Sequence, residues 1–443
     1  MAGPAGKREL GLRDLTFFAL SCVVSARWIP LAARAGPGAV TLWILAAIFF
    51  VVPLTDAVAA LVAREPEAGG LYLWTRRDFG RWHAWLCSWT YWVGIAVLFP
   101  TAAMVYAQVG VSLVDPGGTA VVSRVALLAV AGGLIWIALG ANLIGLKVGK
   151  WAENIGALAT LAIGLVLVAV AGRVFARRGT ATPMHFIPVW NWGTVSFWAG
   201  IAYATSGMEG PGAMAAEIRD PGRTMRRAGW IASALATTLY VSATIAFLVV
   251  LPPGQISELN GFAELSLAAS QVLGTPWLST LIAVLVLLGA MGFIGGLGTA
   301  SSQLPLAAAA DGLLPAAFAQ VHLRWRTPHR SILALGLLAT FLLGVYQLGD
   351  SARAAFDELV ALMVITGFVP YLYLFGSAWK AGRRLSAISG GFVTVLAIVC
   401  AIVPPDGITN VWLFEGKLAS GTIAVAVAAW LVYRRSAGSR PAR

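Results

Sequence analysis

The chain has 443 residues, 59% of them hydrophobic and only 11% charged, with a mean hydropathy of +0.80 and a formal net charge of +12. A soluble chain carries about a quarter charged residues, so there is too little polar surface here for a water-soluble globule. A division by length into two or three soluble domains therefore gives way to hydropathy.

Twelve apolar runs follow one another, near 14–33, 38–63, 83–112, 121–142, 151–172, 194–217, 227–251, 276–304, 329–347, 355–378, 386–404 and 418–433. A helix needs about 20 apolar residues to span hydrocarbon, whereas barrel strands are about 10 residues of strict alternation. These runs are longer and apolar all round, so the fold class is all-α transmembrane with about twelve helices and no soluble domain. The longest polar connections are 64–82, 173–193, 252–275 and 309–328; the last holds Asp311-Gly312-Leu313-Leu314-Pro315, a turn before a short surface helix. The tail after Arg434 is short and basic and reads as disordered.

The positive charge suits nucleic acid in amount but not in placement. With the amino terminus inside, Arg64, Arg76, Arg77, Arg81, Arg223, Arg226, Arg227, Lys380, Arg383, Arg384 and most other basic residues fall on one side. The other side receives Arg34, Arg124, Arg173, Arg177, Arg178, Arg353 and Lys417. This asymmetry predicts a multi-pass protein of the cell membrane with both termini cytoplasmic, its basic ends suited to anionic head groups. Only the triplet Arg173, Arg177 and Arg178 cuts against it. The first run is too long for a cleaved signal and continues into the bundle. Cys22, Cys87 and Cys400 lie in apolar runs, at spacings that fit neither a metal site nor a disulfide framework.

Two runs are broken locally. The first contains Val24-Ser25-Ala26-Arg27-Trp28-Ile29-Pro30, and the sixth contains Tyr203-Ala204-Thr205-Ser206-Gly207-Met208-Glu209-Gly210-Pro211-Gly212. Gly and Pro weaken a helix, and Arg27 and Glu209 would each cost about 2.5–3.5 kcal/mol or more at mid-depth unless turned inward. A broken helix exposes free N–H groups at one end and carbonyls at the other, which can hold a zwitterion in an apolar medium. Interrupted helices at corresponding places in two halves point to a transporter site; packing kinks are the competing reading.

At these residues the chain resembles the amino acid–polyamine–organocation (APC) superfamily, and four segments carry the likeness over nearly its whole length. They are Arg64-Glu65-Pro66-Glu67-Ala68-Gly69-Gly70-Leu71-Tyr72-Leu73-Trp74 with Arg76-Arg77-Asp78-Phe79-Gly80; Ser206-Gly207-Met208-Glu209; Glu217-Ile218-Arg219-Asp220-Pro221-Gly222-Arg223-Thr224; and Ala309-Ala310-Asp311-Gly312-Leu313-Leu314-Pro315 with Thr327-Pro328. The resemblance implies a five-plus-five inverted repeat, 14–172 and 194–378, with two further helices in 386–433. It implies alternating-access transport of an amino acid or related amine, with protons or a counter-substrate as further partners. Carried over residue by residue, it implies a substrate site at Ser25, Ala26 and Arg27, then Ala204, Thr205, Ser206 and Gly207, with Tyr203 as an aromatic cover and Glu209 as a proton-sensitive gate. No cofactor and no metal are implied.

The chain departs from the family pattern in three places. Arg27 stands where a small residue is usual, Ala60 stands where many members carry a glutamate (Asp56 is one turn earlier), and Thr160 stands where some proton-coupled members carry a lysine. The stretch Gly295–Gln303 looks closer to the exchangers than to simple symporters. Arg27 admits three roles: a bidentate ligand for a carboxylate, an internal partner of Glu209 or Asp56, or a snorkelling residue, which its depth disfavours. Trp28 stands beside the site and could line it, and Asp56 is a second candidate for gating. Thr299, Ser301 and Ser302 offer hydroxyls to sodium, though such residues more often bond their own helix. The Gly295–Gly298 cluster reads as close helix packing. No H-E-x-x-H, G-x-S-x-G or phosphate-loop motif supports an enzyme; a channel or an amino-acid sensor is the alternative that remains.

Overall fold

The computed structural model describes residues 9–114, 123–188, 192–345, 352–404 and 410–438, and among these the regular structure is helical throughout. The first apolar run is split into α1 (Leu12–Val23) and α2 (Trp28–Arg34), bent by 49°. Next, α3 (Gly38–Ala46) and α4 (Val52–Arg64) join through a π turn at Ala47–Val51 into one rod. The connection that follows contains α5 (Leu71–Phe79). Then come α6 (Arg81–Val114), α7 (Arg124–Leu143), α8 (Leu146–Arg178) and α9 (Trp192–Ala204).

A 3₁₀ segment, Gly210–Glu217, leads to α10 (Pro221–Val250), which opens on Asp220 in the left-handed region and on Pro221, whose missing N–H costs a first turn nothing. The rest are α11 (Gly261–Leu273), α12 (Trp277–Ala310), α13 (His329–Val345), α14 (Ala352–Lys380), α15 (Arg384–Ile402) and α16 (Val411–Gly438). After Asp311 and its turn, the surface helix is a single 3₁₀ turn, Ala316–Ala319.

Among the described residues, nine helices are long and apolar enough to cross a membrane, and the bent pair α1–α2 makes a tenth; α13 is shorter. Their burial sorts them. The most apolar stretch of α6 is 89% buried, so α6 is the axis of the bundle, whereas that of α16 is 11% buried and its apolar side chains face outward. Close approach of α8 and α12 depends on facing glycines: a Cβ on Gly156 would lie 2.4 Å from the Gly292 Cα.

Four expectations need adjustment. Helix α8 runs past both ends of the 151–172 run, and the connections 64–82 and 252–275 each hold a helix. The tail after Arg434 begins as helix, since α16 reaches Gly438. The exceptional arginine cluster has a local use. Arg177 donates to the Val272 carbonyl at 2.6 Å and Arg178 donates to the Val250 carbonyl, so both cap the carboxyl ends of neighbouring helices.

Candidate functional site

The first break is made by one extended residue. Val24 takes φ −94°, ψ 117°, which ends α1; Arg27 is already helical, and the N–H groups of Trp28 and Ile29 bond to the Ser25 and Ala26 carbonyls. The second break turns on glycine. Thr205 and Ser206 close tight turns onto Ala202 and Tyr203, then Gly207 takes φ +112°, a region open to glycine without strain.

The two breaks touch. A Cβ on Gly207 would stand 2.3 Å from the Cys22 carbonyl oxygen, so only glycine fits the crossing. Tyr240 of α10 serves both. Its hydroxyl accepts from the Ser25 N–H at 3.1 Å and is within donating distance of the Val23 carbonyl (3.0 Å) and the Ala204 carbonyl (3.2 Å). Backbone groups freed in a dry interior must find partners, and here one phenol from a third helix supplies them. The Ser25 hydroxyl pairs with the Tyr106 hydroxyl of α6 at 2.7 Å.

Glu209 is 2% exposed and well bonded: Tyr91 of α6 donates to it at 2.8 Å, and the Gly207 N–H is shared between Glu209 Oε2 (3.2 Å) and the Tyr371 hydroxyl of α14 (3.0 Å). Beside it lies a cavity of about 20 Å³, room for a water molecule and not for a metabolite. Both broken segments line this cavity, with Cys22, Val23 and Trp28 from the first and Tyr203, Ala204, Ser206, Gly207 and Glu209 from the second. The remaining wall is apolar or phenolic: Tyr91, Ile95 and Leu98 of α6, Phe293 and Leu297 of α12, and Tyr371. Trp28, Tyr203 and Phe368 stack edge to face across one side.

Of the residues singled out from the sequence, Trp28, Tyr203, Ala204, Ser206, Gly207 and Glu209 lie together on this wall. Ser25, Ala26, Arg27 and Thr205 are buried beside it. Arg27 donates to the Thr101 hydroxyl of α6, and its guanidinium lies 4.1 Å from the Trp28 ring centre. Asp56 is elsewhere. It is half-buried on α4, accepts from Ser386 at 2.7 Å and pairs with Arg383 at 3.7 Å, so it partners α15 and its approach and not Arg27. Asp56 and Ala60 share a helix face, but one turn, about 5.4 Å along the axis, separates their depths.

Ser301 and Ser302 bond the Gly298 carbonyl of their own helix, and Thr160 packs against Gly289. No group of three or more His, Cys, Asp and Glu gathers among the described residues. Sequence reasoning missed Tyr91, Tyr106, Tyr240 and Tyr371. The signal was weak but present: five of the nine tyrosines, counting Tyr203, gather at the breaks although buried phenols need hydrogen-bond partners.

Beneath the cavity, on the face richest in arginine, α5 ties the bundle together. Gly69 N–H bonds the Ala213 carbonyl of the 3₁₀ segment at 3.0 Å, Arg76 pairs with Asp311 at 2.9 Å, and Tyr72 donates to Asp311 at 2.5 Å. Arg77 bridges Glu65 (2.9 Å) and Asp78 (3.0 Å), and Lys380 of α14 reaches the Asp78 carbonyl. Burial pushes the Glu65 carboxyl above its usual range against the pull of Arg77. Burial acts the same way on Asp78, but there the hydrogen bond and charge of Arg77 outweigh it and hold the carboxyl below its usual range. Leu10 joins this layer by exchanging backbone bonds with Glu217 and Arg219, a bridge between the entry to α1 and the exit of the second broken span.

Two broken helical segments thus meet at a small cavity inside a bundle of apolar helices. The chain belongs to the amino acid permease family of the APC superfamily: the family's model matches residues 10–414. It is similar to an uncharacterized transporter of Legionella pneumophila (26% identity, covering 97% of each chain). It is also similar to a branched-chain amino acid permease of Bacillus subtilis (23%, 82% of this chain and 79% of that one) and to a methylthioribose transporter of the same organism (25%, 89% and 86%). The protein is a multi-pass membrane transporter.

Proposed function

We propose that this transporter is a secondary active carrier that moves an amino acid or related amine across the cytoplasmic membrane by alternating access. What carries the reading is the crossing of two broken spans at one cavity, with exposed helix ends, a buried acid and phenol hydroxyls on the wall. In this proposal the chain spans the membrane twelve times, with α13 and the α9–3₁₀ pair counted as spans. Residues 14–172 and 194–378 form an inverted repeat, and 386–433 supply two further helices. The arginine-rich face, with both termini, is cytoplasmic, following the bias of basic loops. The cavity is too small for a metabolite in the arrangement described, so substrate enters when the α5 layer or the aromatic side parts.

The substrate lies against Ser25, Ala26, Arg27, Trp28 and Tyr203 to Gly207, its amine toward Glu209 and its carboxylate toward backbone N–H groups at a break or toward Arg27. Ile95, Leu98, Phe293 and Leu297 favour an uncharged, apolar side chain; the printed function of the branched-chain permease agrees with that class. Glu209 acts as the proton-sensitive gate, and Asp56, tied to Arg383, is left out of the site.

The test is counterflow. Purified protein in liposomes loaded with an unlabelled amino acid, chosen by thermal-shift screening, is expected to take up the labelled compound saturably. Arg27→Ala is expected to abolish uptake, and Glu209→Gln to flatten its pH dependence. Binding without exchange would instead identify a sensor, and uptake without saturation a channel.

A further inference from the structure

A second acid is buried in the bundle, outside the cavity wall. Glu153, near the start of α8, is 5% exposed. Thr299 of α12 donates to its Oε1 at 3.0 Å, and Ser21 of α1 donates to its backbone carbonyl at 3.0 Å. One residue thus joins three helices at the seam below the first break.

Among the described residues, no cation pairs with this carboxyl. The ion pairs among the described residues involve other acids. Lys150, one turn earlier, is held by Asp14 of α1 at 2.7 Å. From α12 come hydroxyls and no charged residue; from α1 the Cys22 thiol; from the 3₁₀ segment another acid, Glu217. The arginines of α10, Arg223, Arg226 and Arg227, are exposed at its start. An ionised carboxylate here would be an unpaired buried charge.

Beside it stands an unmatched acceptor. Asn142 of α7, 5% exposed, donates its Nδ2 to the Gly295 carbonyl at 2.7 Å, which fixes the amide's orientation. Its Oδ1 is buried and has no donor among the described residues. That oxygen and the Glu153 Cγ lie 3.7 and 3.9 Å from the point where a Cβ of Gly295 would stand. Both side chains therefore border the same space beside Gly295.

We propose that Glu153 is a proton-binding site separate from Glu209: it carries its proton, turned toward Asn142, while α1, α8 and α12 are closed, and releases it when the seam opens to water. On release the carboxyl O–H breaks, the electron pair stays on the carboxylate, and water takes the proton. Only the consequence for transport, a second proton linked to closure, rests on the carrier reading above.

Infrared difference spectroscopy of the purified full-length protein, titrated in detergent without substrate, tests this directly. A protonated-carboxyl band is expected that disappears as pH rises, is absent in Glu153→Gln and survives in Glu209→Gln. A band unaltered by Glu153→Gln overturns the proposal. Thr299→Val keeps the carboxyl but removes a donor that favours its charged form, so the midpoint is expected to move upward by about one pH unit or more; an unmoved midpoint also overturns it. So does a midpoint that follows sodium concentration at fixed pH, which would make the seam a cation site. Failure here leaves the carrier reading standing, because no substrate enters the measurement.

Discussion

The two breaks reach the same end by different means. The second is written into its own residues, with Gly207 at φ +112°, Gly210, Pro211 and Gly212 in succession. The first contains no glycine, and its backbone leaves the helix through a single extended residue at Val24. It is held open by neighbours: the Tyr240 and Tyr106 hydroxyls at Ser25, and Thr101 at Arg27. A helix can be interrupted by conformational freedom or by outside partners that accept its freed groups. Only the former leaves a mark in the local sequence.

Substitutions separate the two mechanisms. The largest effect is expected from Gly207→Ala, which combines a disfavoured φ with a Cβ placed 2.3 Å from the Cys22 carbonyl. A loss of about 3 kcal/mol or more is expected, seen as a collapse of the thermal melt in detergent; a melt like the parent's would show that the crossing relaxes freely. Ala26→Gly, by contrast, is expected to cost less than about 1 kcal/mol, because partners and not torsional freedom make the first break.

Tyr240→Phe comes next. It strips backbone groups at both breaks of their partner, at about 1–3 kcal/mol. Faster hydrogen exchange is expected around both Val23–Ser25 and Ala204, and a change confined to one break would dissolve the link between them. Ser25→Ala, which loses only the Tyr106 contact, is expected to cost about 1 kcal/mol and to leave the second break as protected as before.

The smallest effect belongs to the arginine-rich face. Asp78 is held below its usual range in the folded protein, so its contribution is complete above the ordinary carboxylate range and fades as pH falls through the folded value. Asp78→Asn is therefore expected to melt slightly below the parent at neutral pH, by an equivalent of roughly 1 kcal/mol or less, and the two curves should converge in acid. A gap that widens in acid would reverse the sign of this account.

Most of the bundle was legible because length and apolarity are properties of single segments, and the break at Gly207 was legible for the same reason. Partners were not. Tyr91, Tyr106, Tyr240 and Tyr371 come from three other helices, and no spacing rule links residue 240 to residue 25. Asp56 and Glu153 show the same limit in opposite directions. The α4 acid Asp56, which looked poised for the centre, pairs with Arg383, while Glu153, in an unremarked stretch, is enclosed between three helices. Depth along a helix decides such outcomes, and one turn shifts it by about 5.4 Å.

The span carrying Arg27 is made early, yet the hydroxyl that completes its break lies 217 residues beyond Val23. At about 5–20 residues per second, synthesis needs roughly 10–40 s to cover that interval. During this time Tyr106 and Thr101 are already made, but the Ser25 N–H and the Val23 carbonyl lack the hydroxyl that serves them in the folded protein. The Leu10 bridge to Glu217 and Arg219 waits nearly as long. The amino-terminal segment thus gains its full set of hydrogen bonds only once α10 lies beside it.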